Sequence, residues 1–334
     1  MALRTVLSHA LLLICGLLAC AAPGCRRSAA AGPGDRITLA YTIQPQSTLV
    51  NVAAAKGYFA AEGLEVSPVI HSYGKACLQD VVEGKADFAT VAETPFMFSV
   101  LKGERITIIA NIEASDMNVA VVARRDAGIS EPAHLRGKRI AFTPGTTSEV
   151  FMDAILLAVG LPRTGIHGVP MGSDEMERAL MEGRVDAACT WNYPLAIIKR
   201  RLGANGILIY DREVFTETFN IAAQQAFVRR NPAAAERLLR ALIRAEGFVK
   251  EHPGEAQAIV AKATGTAPEL VREVWNSFRY RVLLDQTLLI TLEDETRWAM
   301  NNNLAERKAM PDYRDYIHLD SLRAVRPEAV RFTR

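Results

Sequence analysis

The sequence predicts an α/β protein of two similar lobes, and three observations carry that expectation. Short apolar runs of strand length alternate with longer runs whose apolar residues recur at helical spacing. The block Val82-Glu83-Gly84-Lys85-Ala86-Asp87-Phe88-Ala89 through Pro95 aligns without a gap with Met181-Glu182-Gly183-Arg184-Val185-Asp186-Ala187-Ala188 through Pro194. In both copies a helix ends at Gly, a basic residue and Asp follow, a buried strand comes next, and Pro opens another helix. Finally, Arg36-Ile37-Thr38-Leu39-Ala40 is echoed by Arg139-Ile140-Ala141-Phe142-Thr143. Two βαβαβ units, each a right-handed parallel sheet flanked by helices, account for all three. At 334 residues and 49% hydrophobic content the chain is large enough for both.

Residues 1–20 read as a processed leader. Arg4 is its positive start, and Leu11 to Leu18 is an apolar run too short to span a bilayer. Leu17-Leu18-Ala19-Cys20 resembles the lipobox of bacterial lipoproteins, which implies lipidation at Cys20, a membrane held through that lipid, and a mature chain beginning there. Residues 21–35, rich in Ala, Gly and Pro, read as a tether. Lobe one is expected over residues 36–116, beginning with a strand to Tyr41, a polar turn, a helix stopped by Gly63, and a strand from Leu64. Residues 117–124 are expected to cross to lobe two, residues 125–210, and residues 211–230 to return. Lobe two opens with a strand at Arg139 to Phe142, the turn Gly145-Thr146-Thr147-Ser148, and a helix ended by Gly160 and Pro162. Residues 231–334 are expected to be helical and to pack on lobe one, with Asn231-Pro232 as cap and Leu238, Leu239, Leu242 and Ile243 as an apolar stripe.

A net charge of +2 and no basic cluster interleaved with aromatics argue against nucleic acid as partner. There is no G-x-S-x-G elbow, Walker loop or G-x-G-x-x-G. The histidines of the folded part, His71, His134, His167, His252 and His318, stand apart from one another and from cysteine, so neither a metal nor a cofactor is expected. Cys77 and Cys189 lie in apolar runs and are expected to be buried and free.

In open α/β sheets ligands bind beyond the carboxyl ends of the strands. Strand ends place Thr42, Gln44 and Gln46, then Glu93 and Thr94, in lobe one, and Thr146, Thr147 and Ser148, then Trp191, Asn192 and Tyr193, in lobe two. The crossovers add Asp116, Asn118 and Asn220. Thr146 to Ser148 form a helix start whose N–H groups and hydroxyls suit an anionic or polar head. Each has a duller account: Glu93 can complement a helix dipole, Trp191 can be core, and Asp116, Asn118 and Asn220 can stabilise turns.

The segment Ala55-Lys56-Gly57-Tyr58-Phe59-Ala60-Ala61-Glu62-Gly63-Leu64-Glu65-Val66 closely resembles the AxxxGYFxxEGLxV signature of the nitrate, sulfonate and taurine substrate-binding proteins of ABC importers, and Asp315 to Leu322 is similar to the C-terminal pattern of that family. The resemblance implies a type II periplasmic-binding-protein fold, a monomer in the periplasm or at the cell surface, and a permease with its ATPase subunit as partners. It implies no enzymatic activity. No arginine stands at the expected strand ends, whereas Glu93 and Asp116 would repel nitrate and suit an amine, which favours an aminosulfonate-like or nitrogen-containing ligand. Enzymes of related fold, pyrimidine-forming in thiamine biosynthesis or acting as aromatic-acid lyases, are the alternative, and a receptor domain for a membrane sensor a third reading.

Overall fold

Asp87 and Asp186, the matched aspartates of the internal repeat, do the same work. Asp87 Oδ2 accepts from the Thr38 N–H at 2.7 Å while its own N–H donates to Thr38 O at 2.9 Å; Asp186 makes the same pair with Arg139, at 2.9 Å each way. Gly84 and Gly183 precede them with φ of +71° and +68°, the left-handed helix end that glycine adopts without a Cβ penalty. A short block thus fixes how a helix returns to the first strand of each lobe.

The computed structural model describes residues 35–213, 215–306 and 309–332. The leader, Cys20 and the tether up to residue 34 lie outside them. Lobe one begins with β1 (Asp35–Thr42), α1 (Thr48–Ala55), α2 (Tyr58–Ala61), β2 (Leu64–His71), α3 (Gly74–Val82), β3 (Phe88–Ala92), α4 (Glu93–Leu101) and β4 (Ile106–Ser115). Lobe two holds β5 (Val119–Arg124), β6 (Arg139–Phe142), α5 (Thr147–Ala158), β7 (His167–Pro170), α6 (Ser173–Met181), β8 (Ala187–Trp191), α7 (Pro194–Leu202) and β9 (Gly206–Ile209). The chain returns through β10 (Glu217–Gln224) and α8 (Gln225–Arg230) to α9 (Pro232–Glu251), α10 (Pro253–Thr264), α11 (Pro268–Val274), β11 (Arg279–Asp285), α12 (Gln286–Asn301), α13 (Asp320–Val325) and β12 (Val330–Arg331). No described helix is long and apolar enough to cross a membrane.

The strand orders are β12-β11-β4-β10-β3-β1-β2 and β7-β6-β8-β5-β9. Each sheet has a parallel trio, β2-β1-β3 and β7-β6-β8, flanked by antiparallel strands. In lobe two, Val119, Val121 and Ala123 of β5 face α5, while Ala120 and Val122 face α6 and α7, so the strand is apolar on both sides. Cys77 and Cys189 are buried in the cores of different lobes. The Gly-Tyr-Phe signature is structural: Phe59 enters the core, Glu62 takes Arg240 and Arg244 of α9, and Arg244 lies over the Tyr58 ring.

Four expectations change. The echo of Arg36 with Arg139 is two residues out of step: Leu39 pairs with Phe88 as Ile140 pairs with Ala187, so Leu39 is the counterpart of Ile140. A two-residue slip keeps side chains on their faces, which is why the sequence pattern tolerated it. The span of residues 117–124 is a strand of the lobe-two sheet, and Glu217–Gln224 is inserted between β3 and β4 of lobe one. Chain crossing is left to the short links around residues 116–118 and 210–216. Arg279–Asp285, expected as part of a helical tail, alternates exposed and buried positions and pairs with β4. The tail also reaches lobe two: Val271 and Val274 of α11 pack with Tyr193 and Ala196, and Arg200 pairs with Glu273.

Candidate functional site

The carboxyl ends of the two parallel trios face one another across a narrow cleft. Lobe one supplies Thr42, Gln44, Gln46, Tyr73, Gly74, Lys75, Ala92 and Pro95; lobe two supplies Thr146, Thr147 and Trp191; Glu217 and Phe219 of β10 complete it. The cleft holds about 350 Å³ of empty space counting its mouth, of which about 30 Å³ lies clear of the walls by a water radius. That is room for roughly two waters, so the lobes are shut. Hydrogen bonds cross between them from Tyr193 N–H to Gln44 Oε1 at 3.0 Å, from Lys75 Nζ to Pro144 O at 2.9 Å, from Trp298 Nε1 to Asp153 Oδ2 at 3.0 Å and from Arg200 Nε to Glu273 Oε2 at 3.0 Å.

Both lobes build their first turn alike. The strand ends at a threonine, and five residues on a serine hydroxyl accepts that threonine's N–H: Thr42 with Ser47, Thr143 with Ser148. Thr146 caps α5 by accepting from the Ser148 N–H, and its own hydroxyl donates to Thr143 O at 2.7 Å. The positive end of a twelve-residue helix therefore stands at the cleft wall, with the Lys75 ammonium opposite. Burial and the neighbouring Lys102 lower the Lys75 pKa, against the pull of Glu149. Gly145, at φ +67°, lets Lys75 approach: a Cβ there would lie 3.0 Å from Nζ.

Gly74 is equally constrained. A Cβ on it would meet Val91 Cα at 3.0 Å, Thr90 O at 3.1 Å and the Phe219 ring at 3.2 Å. Two of those neighbours are backbone of the central strand, so Gly74→Ala is expected to cost about 1–3 kcal/mol in a denaturant titration. Unchanged stability would show that the start of α3 slides freely.

Of the sequence-derived residues, the structure brings Thr42, Gln44, Thr146, Thr147 and Trp191 to the cleft, with Gln46 beside them. It places the others behind or outside. Glu93 is fully buried and accepts from Thr218 N–H and Oγ1 at 2.6 and 2.8 Å, and Thr94 donates to Glu295. Asn118 supports the floor from behind, donating to Glu217 and accepting from the Asn192 N–H. Ser148 donates to Cys189 O, Asn192 is buried in that backbone contact, and Asn220 bonds within β10 and to Val91 O. Asp116 pairs with Arg279 and Arg212 away from the cleft. Sequence reasoning missed Tyr73, Gly74, Lys75, Pro95, Glu217 and Phe219.

A family model, NMT1/THI5-like, matches residues 44–256, more than half of the chain, including β2 and β3 of the first trio and the whole of the second. The chain belongs to the NMT1/THI5-like family. Among its relatives, the riboflavin-binding protein RibY of Chloroflexus aurantiacus is 28% identical over 275 residues, covering 75% of this chain and 76% of that one. The periplasmic aliphatic sulphonate-binding protein SsuA of Escherichia coli superposes with a TM-score of 0.74 at 17% identity, over 86% of this chain and 98% of its own. The desulfurization enzyme DSZB superposes at 0.64 with 16% identity, over 88% and 99%. These likenesses establish the type II periplasmic-binding-protein fold for this NMT1/THI5-like chain, and that fold is shared by binding proteins and an enzyme.

At the cleft floor and behind it this member of the family carries four buried carboxyl groups, Glu217 in the lining and Glu93, Glu113 and Glu295 beneath, from β10, α4, β4 and α12. Burial pushes Glu217 and Glu295 up to about 8; Glu93 reinforces the first and Glu217 the second, against hydrogen bonds from Asn118 and Gln46 to Glu217 and from Thr94 to Glu295. Burial raises Glu93 and Glu113 still more clearly, with Glu295 adding to Glu93, and Glu217 adding to Glu113, where Arg279 opposes. Among the described residues Glu93 Oε1 and Glu295 Oε2 find no N–H or hydroxyl donor, yet the two groups face each other, so a shared proton is the donor at hand.

Proposed function

We propose that the protein is an extracytoplasmic solute-binding lipoprotein of an ABC importer, anchored through Cys20, which closes its lobes on a small polar organic solute and presents it to the permease. The observation that carries this is the cleft itself: a shut chamber, largely apolar with a few convergent polar groups, between lobes joined by short links, with the α5 start and Lys75 placed for an acidic head. The names of RibY and SsuA support the solute-binding reading, and the acidic head makes a sulfonate-like or nitrogen-containing organic acid the favoured cargo. Solute favours closure through its greater affinity for the shut state.

A thermal-shift screen of the purified protein against taurine, alkanesulfonates, nitrate, pyrimidines, thiazoles, flavins and aromatic acids tests it. A true solute at 100 times its dissociation constant adds about 2.7 kcal/mol, and should be recovered chemically unchanged. Lys75→Met should weaken an acidic solute. Conversion of the solute on incubation would point instead to an enzyme on this fold, and an empty screen would count against the importer role.

A further inference from the structure

Among the described residues, Gln46 is 3% exposed, lines the cleft, and has no partner for its Oε1. Its side chain lies on the same cleft wall as Glu217, and an amide N–H turned to that carboxyl leaves Oε1 as the free atom. The unpartnered atom of this cleft-lining side chain is therefore an acceptor. Beside it stands Glu217, 2% exposed, with Asn118 as its other donor. The floor thus offers acceptors where the α5 wall offers donors.

The charges around this floor are lopsided. Glu93 faces Glu217 from the start of α4, Glu113 from β4 and Glu295 from α12. Arg279 of β11 acts on Glu113 but is already paired with Asp116. Lys75 of α3 is held by Pro144 O at the opposite wall, and the buried Tyr193 and Tyr280 hydroxyls have no partner among the described residues. Among the described residues no cation neutralises the floor from within, so an anionic head is driven to the α5 side and the opposite end of the ligand meets the carboxyl layer.

We propose that Gln46 and Glu217 form a subsite for a positively charged nitrogen of the ligand, and that seating this charge expels one proton from Glu217. The inference rests on the reading of the cleft as a solute site. The balance is simple: the Glu217 carboxyl O–H gives its proton to solvent, the resulting carboxylate pairs with the incoming ammonium, and Gln46 Oε1 accepts one of its N–H groups. The net charge of the floor is unchanged, which is what a closed, water-poor chamber requires. With Glu217 titrating at about 8, capture strengthens as pH rises toward 8 and loosens on acidification.

The test uses matched organic acids of two to four carbons, sulfonates and carboxylates, bearing either an ammonium or a hydroxyl at the far end. Each is titrated calorimetrically at pH 6, 7 and 8 in buffers of differing ionisation heat. The ammonium member of a pair should bind at least about tenfold more tightly, gain about tenfold from pH 6 to 7 and about fivefold from pH 7 to 8, and release close to one proton at pH 6 and 7 and about half of one at pH 8, the linkage expected for one group titrating at about 8. Glu217→Gln should abolish the pH dependence. Should that variant fail to fold, Gln46→Leu, which leaves the carboxyl layer intact, should still erase most of the ammonium preference. Equal binding of the hydroxyl member, pH-independent binding of the ammonium member, or no binding by any ammonium member would overturn the subsite. The solute-binding reading would fall separately, and only if the wider screen were also empty.

Discussion

Glu113→Gln raises the melting temperature at pH 8 and barely moves it at pH 5. Glu113 sits fully buried in β4 with neither side-chain oxygen partnered among the described residues, and it faces Glu217 and Glu93. In the folded chain these carboxyls hold their protons above the ordinary value of 4.5, Glu217 and Glu295 to about 8. Folding therefore takes up protons, so stability is full below about pH 4.5 and falls as pH rises toward 8. The ceiling is about 1.4 kcal/mol per pH unit for each carboxyl that stays protonated only when folded. His318, half-buried and held below its usual value, works in the opposite sense, while Asp153, raised by burial, adds to the four glutamates. Asp126, Asp186 and Asp312 are held below their usual range by arginines, so their contributions are complete before pH 5. The substitution removes the proton uptake that burying Glu113 requires at pH 8, a gain of about 1–3 kcal/mol. Melts followed by circular dichroism at both pH values decide it. A variant less stable than the parent at pH 8 would mean that Glu113 is ionised and used.

The repeat was legible because it is chemically strict: only glycine suits φ near +70°, and the aspartate that follows must meet a strand N–H. The cleft was legible where a strand end determines a backbone position, which gave Thr42, Gln44, Thr146, Thr147 and Trp191. A strand end does not say which way a helical side chain turns. Glu93 begins α4 directly, and its carboxyl rotates inward to Thr218 while Pro95, two residues on, meets the cleft. Lys75 is hidden in the sequence because it follows the second strand, not the first or third, and sits in the first turn of α3, which starts three residues past β2. Glu217 and Phe219 were read as a crossover, since nothing local tells a strand that it will be inserted between β3 and β4. The carboxyl layer was invisible for the same reason: its four members come from residues 93 to 295 and meet only through tertiary packing.

Trp298→Phe should weaken binding of the cognate solute by about 5–10-fold while shifting the melting temperature of the solute-free protein only slightly. Trp298 lies on α12 in lobe one, edge-on to Phe98 with ring centres 6.0 Å apart, and its Nε1 donates to Asp153 of α5 in lobe two. Asp153 Oδ2 also accepts from Arg163 at 2.8 Å, so losing the indole donor leaves no carboxylate without a cation. Phenylalanine keeps the ring packing and removes one hydrogen bond to a charged acceptor, worth about 1–2 kcal/mol. That bond exists only while the lobes are together, so its loss falls on the closed state. Apparent affinity falls with the fraction of protein able to close, and 1.4 kcal/mol corresponds to about tenfold. Asp153→Asn should show a coupled effect, since in a double-mutant cycle two groups that share one bond do not add. The helix that carries Asp153 is the helix whose first turn walls the cleft, so the latch and the solute stabilise the same arrangement from its two ends. A fall in melting temperature with affinity unchanged would make Trp298 a core residue of lobe one and leave closure to the solute alone.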